Sequence, residues 1–107
     1  MIIYNVTINI DESIHTEWLS WIKEHIPQVL ATGKFTEAKL TKVLVEEDLK
    51  EITYSVQYRA TSREALDAYY REDADRLRKD GLSKFADKML AFRTELEIID
   101  EYSVSFK

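Results

Sequence analysis

The sequence has no cysteine, one proline and two glycines in 107 residues. Without cysteine there can be no disulfide, thiol nucleophile, thiolate zinc site or iron–sulfur cluster, and the composition fits a reducing cytosol. With so little glycine there is no glycine-rich phosphate loop, and no run of acids or bases stands at metal-ligand spacing. No cofactor and no metal are therefore expected. Twenty acidic residues against fifteen basic ones leave a net charge of −5, a field that repels nucleic acid and anionic lipid where no basic patch overrides it. Long apolar runs are missing too. The opening MIIYNVTINI alternates apolar with polar and is too short to span a bilayer, so it reads as a strand and not as a signal peptide or membrane segment. The expected protein is cytoplasmic, with neither nucleic acid nor membrane as a partner. It should form one domain, residues 1–107, whose core needs no disulfide or structural metal.

What the chain does have is amphipathic periodicity. Ile2, Tyr4, Val6, Ile8 and Ile10 alternate with Asn5, Thr7 and Asn9, the period-two mark of a half-buried strand. A helix follows, capped by Asp11 or Ser13, with Ile14, Trp18, Trp21, Ile22, His25 and Ile26 on one side at about 100° per residue. Phe35 to Glu46 reads as a second strand with a bulge near Thr41 and Lys42, and EEDLK as a hairpin loop. In the third, Ile52, Tyr54, Val56, Tyr58 and Ala60 face one way and Thr53, Ser55, Gln57 and Arg59 the other. Thr61 and Glu64 form a capping box for a second helix to about Lys79, which Gly81 stops. Phe92 to Phe106 reads as a long last strand. The order β-α-β-β-α-β, with short right-handed connections, predicts an α+β ferredoxin-like sandwich: an antiparallel sheet in order 4-1-3-2 with both helices on one face.

Pro27 and Gly33 account for one corner between them. Proline lacks the N–H that the preceding turn needs and restricts Ile26, so the first helix should kink or break there, and Gly33 suits a left-handed residue closing the turn. His25 is the harder case. It sits with Trp21 above a sheet face that should carry Tyr4, Tyr54 and Tyr58. Polar groups in such a setting form either a satisfied core network or the wall of a ligand pocket. The favoured expectation is a core residue bonded to a carbonyl or tyrosine, for which His25→Ala would cost about 2–4 kcal/mol. His15 and His25 lie about 80° apart around the helix with no carboxylate on their face, which argues against a metal between them.

YNVT in the first strand, W-x-x-W-x-x-x-HIP in the first helix, ATGKF at the next corner and FRTELE opening the last strand resemble a family of short bacterial proteins known only as a domain of unknown function. The resemblance runs over essentially the whole chain. In layout the chain is more distantly similar to the dimeric α+β barrel superfamily, which includes cofactor-free monooxygenases, haem-degrading enzymes and small isomerases. Layout does not assign function, and no catalytic residue is carried over.

The other sheet face is predicted to carry Asn5, Thr7, Gln57, Arg59, Arg93 and Glu95 and to meet a second copy in a homodimer. A last strand of fifteen residues would be roughly 50 Å long, more than a domain of this size can pair within itself. Two functional readings follow. In the first, the chain is a non-catalytic dimeric module that binds a small molecule or a protein partner. In the second it is a cofactor-free enzyme, monooxygenase-like or isomerase-like, with a pocket between the first helix and the sheet. There His25 would be general base, Tyr4 or Tyr58 hydrogen-bond donor and Trp21 a stacking wall. A cavity of a few hundred Å3 beside His25 would favour the second reading, and solid packing would remove it.

Overall fold

The computed structural model describes residues 1–44 and 50–105. Strand β1 (Ile2–Asp11) leads through a 3-10 turn (Glu12–Ile14) into helix α1 (His15–Leu30), then strands β2 (Phe35–Lys42) and β3 (Glu51–Ala60). Helices α2 (Arg63–Glu72) and α3 (Ala74–Phe85), a second 3-10 turn (Ala86–Lys88) and strand β4 (Met89–Glu97) complete the order. The sheet is antiparallel throughout, with strands in the order β2-β3-β1-β4. This is the ferredoxin-like sandwich that the alternation predicts, with the second helix divided in two. Among the described residues no helix is long and apolar enough to cross a membrane.

The two central strands set the core. Tyr4 pairs with Tyr58, Val6 with Val56 and Ile8 with Tyr54, and all six are buried under the helices. Trp18, Ile22 and Val29 of α1, Leu66 and Tyr69 of α2, and Leu77 and Phe85 of α3 close over them. Each such side chain stabilises the fold by about 2 kcal/mol through the apolar area it removes from water. A one-residue slip of β1 would carry all of its apolar residues to the wrong face, so the register is strongly specified.

The corners differ from expectation in instructive ways. Helix α1 does not break at Pro27 but runs on to Leu30. Pro27 and Lys23, whose carbonyl loses its partner, both lie on the exposed side, where water can satisfy the freed group. Gly33 does take a left-handed φ of 80° just past the helix. The bulge of β2 lies between Phe35 and Glu37, not near Thr41 and Lys42, and the strand ends at Lys42. Of the expected hairpin loop, residues 46–49 fall outside the described residues, and the Lys50 carbonyl accepts from the Glu12 N–H at 3.0 Å.

Gly81 does not stop a helix. It lies buried inside α3, which ends where Ala86 takes a φ of 46°. The interruption falls instead at Asp73, whose carboxylate accepts from Lys34 Nζ at 3.0 Å and Arg76 Nη2 at 3.1 Å. The side-chain cap of α2 is Ser62, which accepts from the Ala65 N–H at 3.0 Å, in place of Thr61.

The last strand corrects the sequence reading most. It ends at Glu97 because its partner β1 ends there: Glu97 pairs with Ile2, and the Ile98 N–H donates to the Met1 carbonyl at 2.8 Å. Residues 98–105 have no regular structure. Arg93 stands opposite Val6 and Glu95 opposite Tyr4, so both belong to the helix-covered face and not to the open face predicted for them. Leu90, Phe92, Thr94 and Leu96 take the open side beside Asn9, Thr7, Asn5 and Ile3. In this edge strand the apolar phase points outward, the reverse of β1 and β3.

Candidate functional site

A cavity of about 400 Å3 lies between α1, α3 and the sheet, where β1 meets β4. Its floor is apolar, built from Val6, Ile8 and Val56, and its outer edge is formed by Leu82, Leu90 and Arg93. Ala91, opposite Ile8, is small and half-buried and leaves the end of the sheet unfilled. The volume is within the range of small-molecule sites, about 300–1,000 Å3.

Four of the five predicted pocket residues line this space: His25, Trp21, Tyr4 and Tyr58. The fifth, Tyr54, does not. Its hydroxyl is 2.6 Å from His15 Nε2, and its ring packs 4.9 Å from that of Trp18, within the core further along the sheet. Tyr69, Arg78 and Arg93 line the cavity without having been read as pocket residues. Arg78 was legible in principle, since it flanks the buried stripe Ala74, Leu77, Gly81 and Phe85 once α3 is phased from Ala74. Phasing the helix through a stop at Gly81 hid it.

Trp21 and His25, one helical turn apart, stack with ring centroids 4.4 Å apart and an interplanar angle of 23°. The indole N–H of Trp21 donates to Asp80 Oδ2 at 2.7 Å, which ties α1 to α3. Among the described residues His25 Nδ1 is buried without a hydrogen-bond partner. Burial holds the imidazole below its ordinary pKa of 6.5. Asp80 opposes that shift and Arg93 adds to it. At neutral pH the ring is uncharged and one of its nitrogens carries a lone pair.

The phenols are arranged as donors. Arg78 Nη2 donates to Tyr4 Oη at 2.8 Å, so the Tyr4 proton is free to point elsewhere, and Arg78 Nε is buried without a partner. Burial pushes Tyr58 well above its ordinary pKa, and Tyr69 up to about 12, so both remain protonated. Among the described residues no carboxylate lines the cavity, whereas His25, Arg78 and Arg93 do. Among the described residues no cluster of His, Cys, Asp or Glu is suited to hold a metal ion.

On the open face, Asn5, Thr7, Gln57 and Arg59 lie where they were expected. Ser55 Oγ donates to Asn5 Oδ1 at 2.6 Å and Asn5 Nδ2 to Thr7 Oγ1 at 3.2 Å, while Arg59 Nη2 reaches Glu101 Oε1 at 2.7 Å. Glu95, on the other face, accepts from Arg63 Nη1 at 2.7 Å and from Tyr70 Oη at 2.6 Å, contacts that hold its pKa down to about 2.

Residues 1–99 match the family described as Domain of unknown function (DUF4286). The chain belongs to that family. A search of curated proteins found none that matches this chain. Among solved structures, this DUF4286 protein is similar to a dimeric ferredoxin-like protein from an uncultured marine organism, with TM-score 0.69 and 14% identity over 97% of this chain and 100% of that one. It is also similar to SnoaB, a cofactor-independent oxygenase from Streptomyces nogalater, with TM-score 0.67 and 12% identity over 94% of this chain and 95% of that one. HapK from Hahella chejuensis gives TM-score 0.64 and 14% identity over 98% of this chain and 100% of that one. At these identities the likeness is one of fold, which hosts unrelated activities.

Proposed function

We propose that this chain is a small-molecule-binding module that works as a homodimer, with its ligand in the cavity beside His25. The observation that carries the reading is the cavity itself: about 400 Å3 of space in a core that would otherwise pack close to crystal density. Trp21, Tyr4 and Tyr58 supply flat walls, and His25, Arg78 and the phenols supply a few convergent polar groups. Ligand-observed NMR with a fragment library tests it. Hits should bind the wild type and be lost in Ala91→Trp, which fills the β4 end of the cavity. Hits that survive the substitution contradict the reading.

Catalysis without a cofactor is a second reading: a cavity of this size beside His25 is what it requires, and one further observation favours it. A half-buried, uncharged imidazole with a buried, unpartnered Nδ1 has the character of a general base, and Tyr4 beside Arg78 that of a donor to a developing oxyanion. SnoaB, of similar fold, is a cofactor-independent oxygenase. Turnover of a bound hit that is lost in His25→Gln, with binding retained, would separate catalysis from binding alone.

For the dimer, the support is the outward phase of β4. Leu90, Phe92 and Leu96 are 57%, 57% and 42% exposed on the open face, and Ile99, Tyr102 and Val104 of the following segment are exposed as well. An apolar stripe on an edge strand is an association surface. The marine protein of similar fold is described as dimeric.

A further inference from the structure

We infer that the ligand of this cavity is an organic acid with a flat apolar body, its acid group held by the guanidinium groups of Arg78 and Arg93. The inference rests on the cavity being a ligand site and adds the class of ligand. In a chain of net charge −5, the described residues that line the cavity include two arginines and a histidine and no carboxylate. Elsewhere Arg59 pairs with Glu101 and Glu37, Arg63 with Asp67 and Glu95, and Arg76 with Asp73, while Arg71 is exposed on α2.

Among the described residues Arg78 and Arg93 form no such pair. Arg78 has only one phenol as partner, and its Nε is buried and unsatisfied, a costly arrangement unless an acceptor arrives. An anion supplies that acceptor. The guanidinium fork suits a carboxylate, which accepts two parallel N–H donors. Arg93 is exposed at the cavity's edge, on β4 opposite Val6, which places positive charge where an entering acid meets the protein first. The apolar floor and the rings of Trp21, Tyr4 and Tyr58 take the rest of the molecule, and the phenols donate to its remaining oxygens. His25 lies within the influence of Arg93 on one side and Asp80 on the other. Asp80 is held by the Trp21 indole and is not among the described lining residues, but its charge reaches His25 and opposes that of Arg93 there.

Calorimetric titration of the full chain with 1-naphthoate and with 1-naphthamide, its neutral isostere, tests the inference. The acid should bind at least about tenfold more tightly than the amide, equivalent to about 1.4 kcal/mol. Arg93→Met, at an exposed position, should remove most of that preference by weakening the acid more than the amide. Arg78→Met should do the same where circular dichroism shows it folded. Equal affinity of the two probes, or a preference that survives Arg93→Met, overturns the inference. Two cavity-filling variants, Ala91→Trp and Leu82→Trp, keep the two levels apart. If they abolish binding of both probes while the wild type shows no preference, the cavity is a site and only the acid assignment fails. If both probes bind them as before, or bind the wild type not at all, the site itself is overturned and the ligand class with it.

Discussion

The indole of Trp21 occupies the space that a side chain at Gly81 would need: a Cβ there would lie 2.8 Å from Cη2 and 3.0 Å from Cζ2 of the ring. The ring is not free to withdraw. It stacks on His25 at 4.4 Å, donates to Asp80 at 2.7 Å and meets the edge of Phe85 at 5.6 Å. One glycine thus lets α1 and α3 approach and fixes a wall of the cavity.

Gly81→Ala should therefore lower stability. A methyl in a helix interior ordinarily gains about 1 kcal/mol over glycine, but forcing it against a ring tied on three sides costs about 1–3 kcal/mol. The expected net loss is about 1 kcal/mol, read as a lower urea midpoint. A raised midpoint would show that Trp21 yields, and that the wall it forms is soft.

His25→Ala should cost about 1 kcal/mol or less, in place of the 2–4 kcal/mol expected of a satisfied core residue. The stack on Trp21 is lost, but so is a buried nitrogen without a partner, and water can enter the adjoining space. The same variant has a pH signature. Because the folded-state pKa lies below 6.5, the unfolded chain takes up the proton first, so wild-type stability falls as pH drops through 6.5 and levels off below the folded-state value. Denaturation midpoints at successive pH values should show that slope in the wild type and a flatter one in His25→Ala.

Glu95 gives a dependence of the same sign in a lower pH range. Its carboxyl titrates at about 2 against an ordinary 4.5, so its contribution is complete above 4.5 and is lost as pH falls toward 2. Glu95→Gln should lower the urea midpoint at pH 7, and the gap to wild type should close near pH 2. The effect is modest because the pair with Arg63 is exposed to solvent. A gap independent of pH would mean that the Arg63 and Tyr70 contacts do not persist in solution.

Phe92→Glu should weaken the homodimer by about tenfold or more, since a charge replaces an apolar residue in the middle of the association stripe. Sedimentation at micromolar concentration should show a dimer for the wild type and monomer for the variant, with circular dichroism unchanged. A wild-type monomer contradicts the interface.

The sequence and the structure agree most closely where one face of an element is fully buried. The alternation of Tyr4, Val6, Ile8 and Ile10 against Asn5, Thr7 and Asn9 was unambiguous because burial on one side only leaves a clean period of two. Strand β4 misled for the converse reason. As an edge strand with both faces largely accessible, it has no buried side to fix its phase, and FRTELE reads equally well with Phe92 inward or outward. That single ambiguity moved Arg93 from the cavity to the open face. Gly81 misled in another way: its composition signal is the same for a helix stop and for a close approach, and only the position of Trp21 distinguishes them. Tyr54 followed the correct face of its strand but lies nearer His15 than His25, a separation along the sheet that periodicity does not encode.

The most direct measurement follows the His25 imidazole Hε1 and the Ala91 amide by NMR as 1-naphthoate and 1-naphthamide are added in turn. Whichever probe binds should shift both resonances together, saturably and with one probe per chain, leaving the amides of Thr7 and Thr94 on the open face in place. Binding that shifts Thr7 and Thr94 while His25 and Ala91 stay still would contradict the proposal, because the ligand would then sit on the outer face of the sheet and the cavity beside His25 would not be its site.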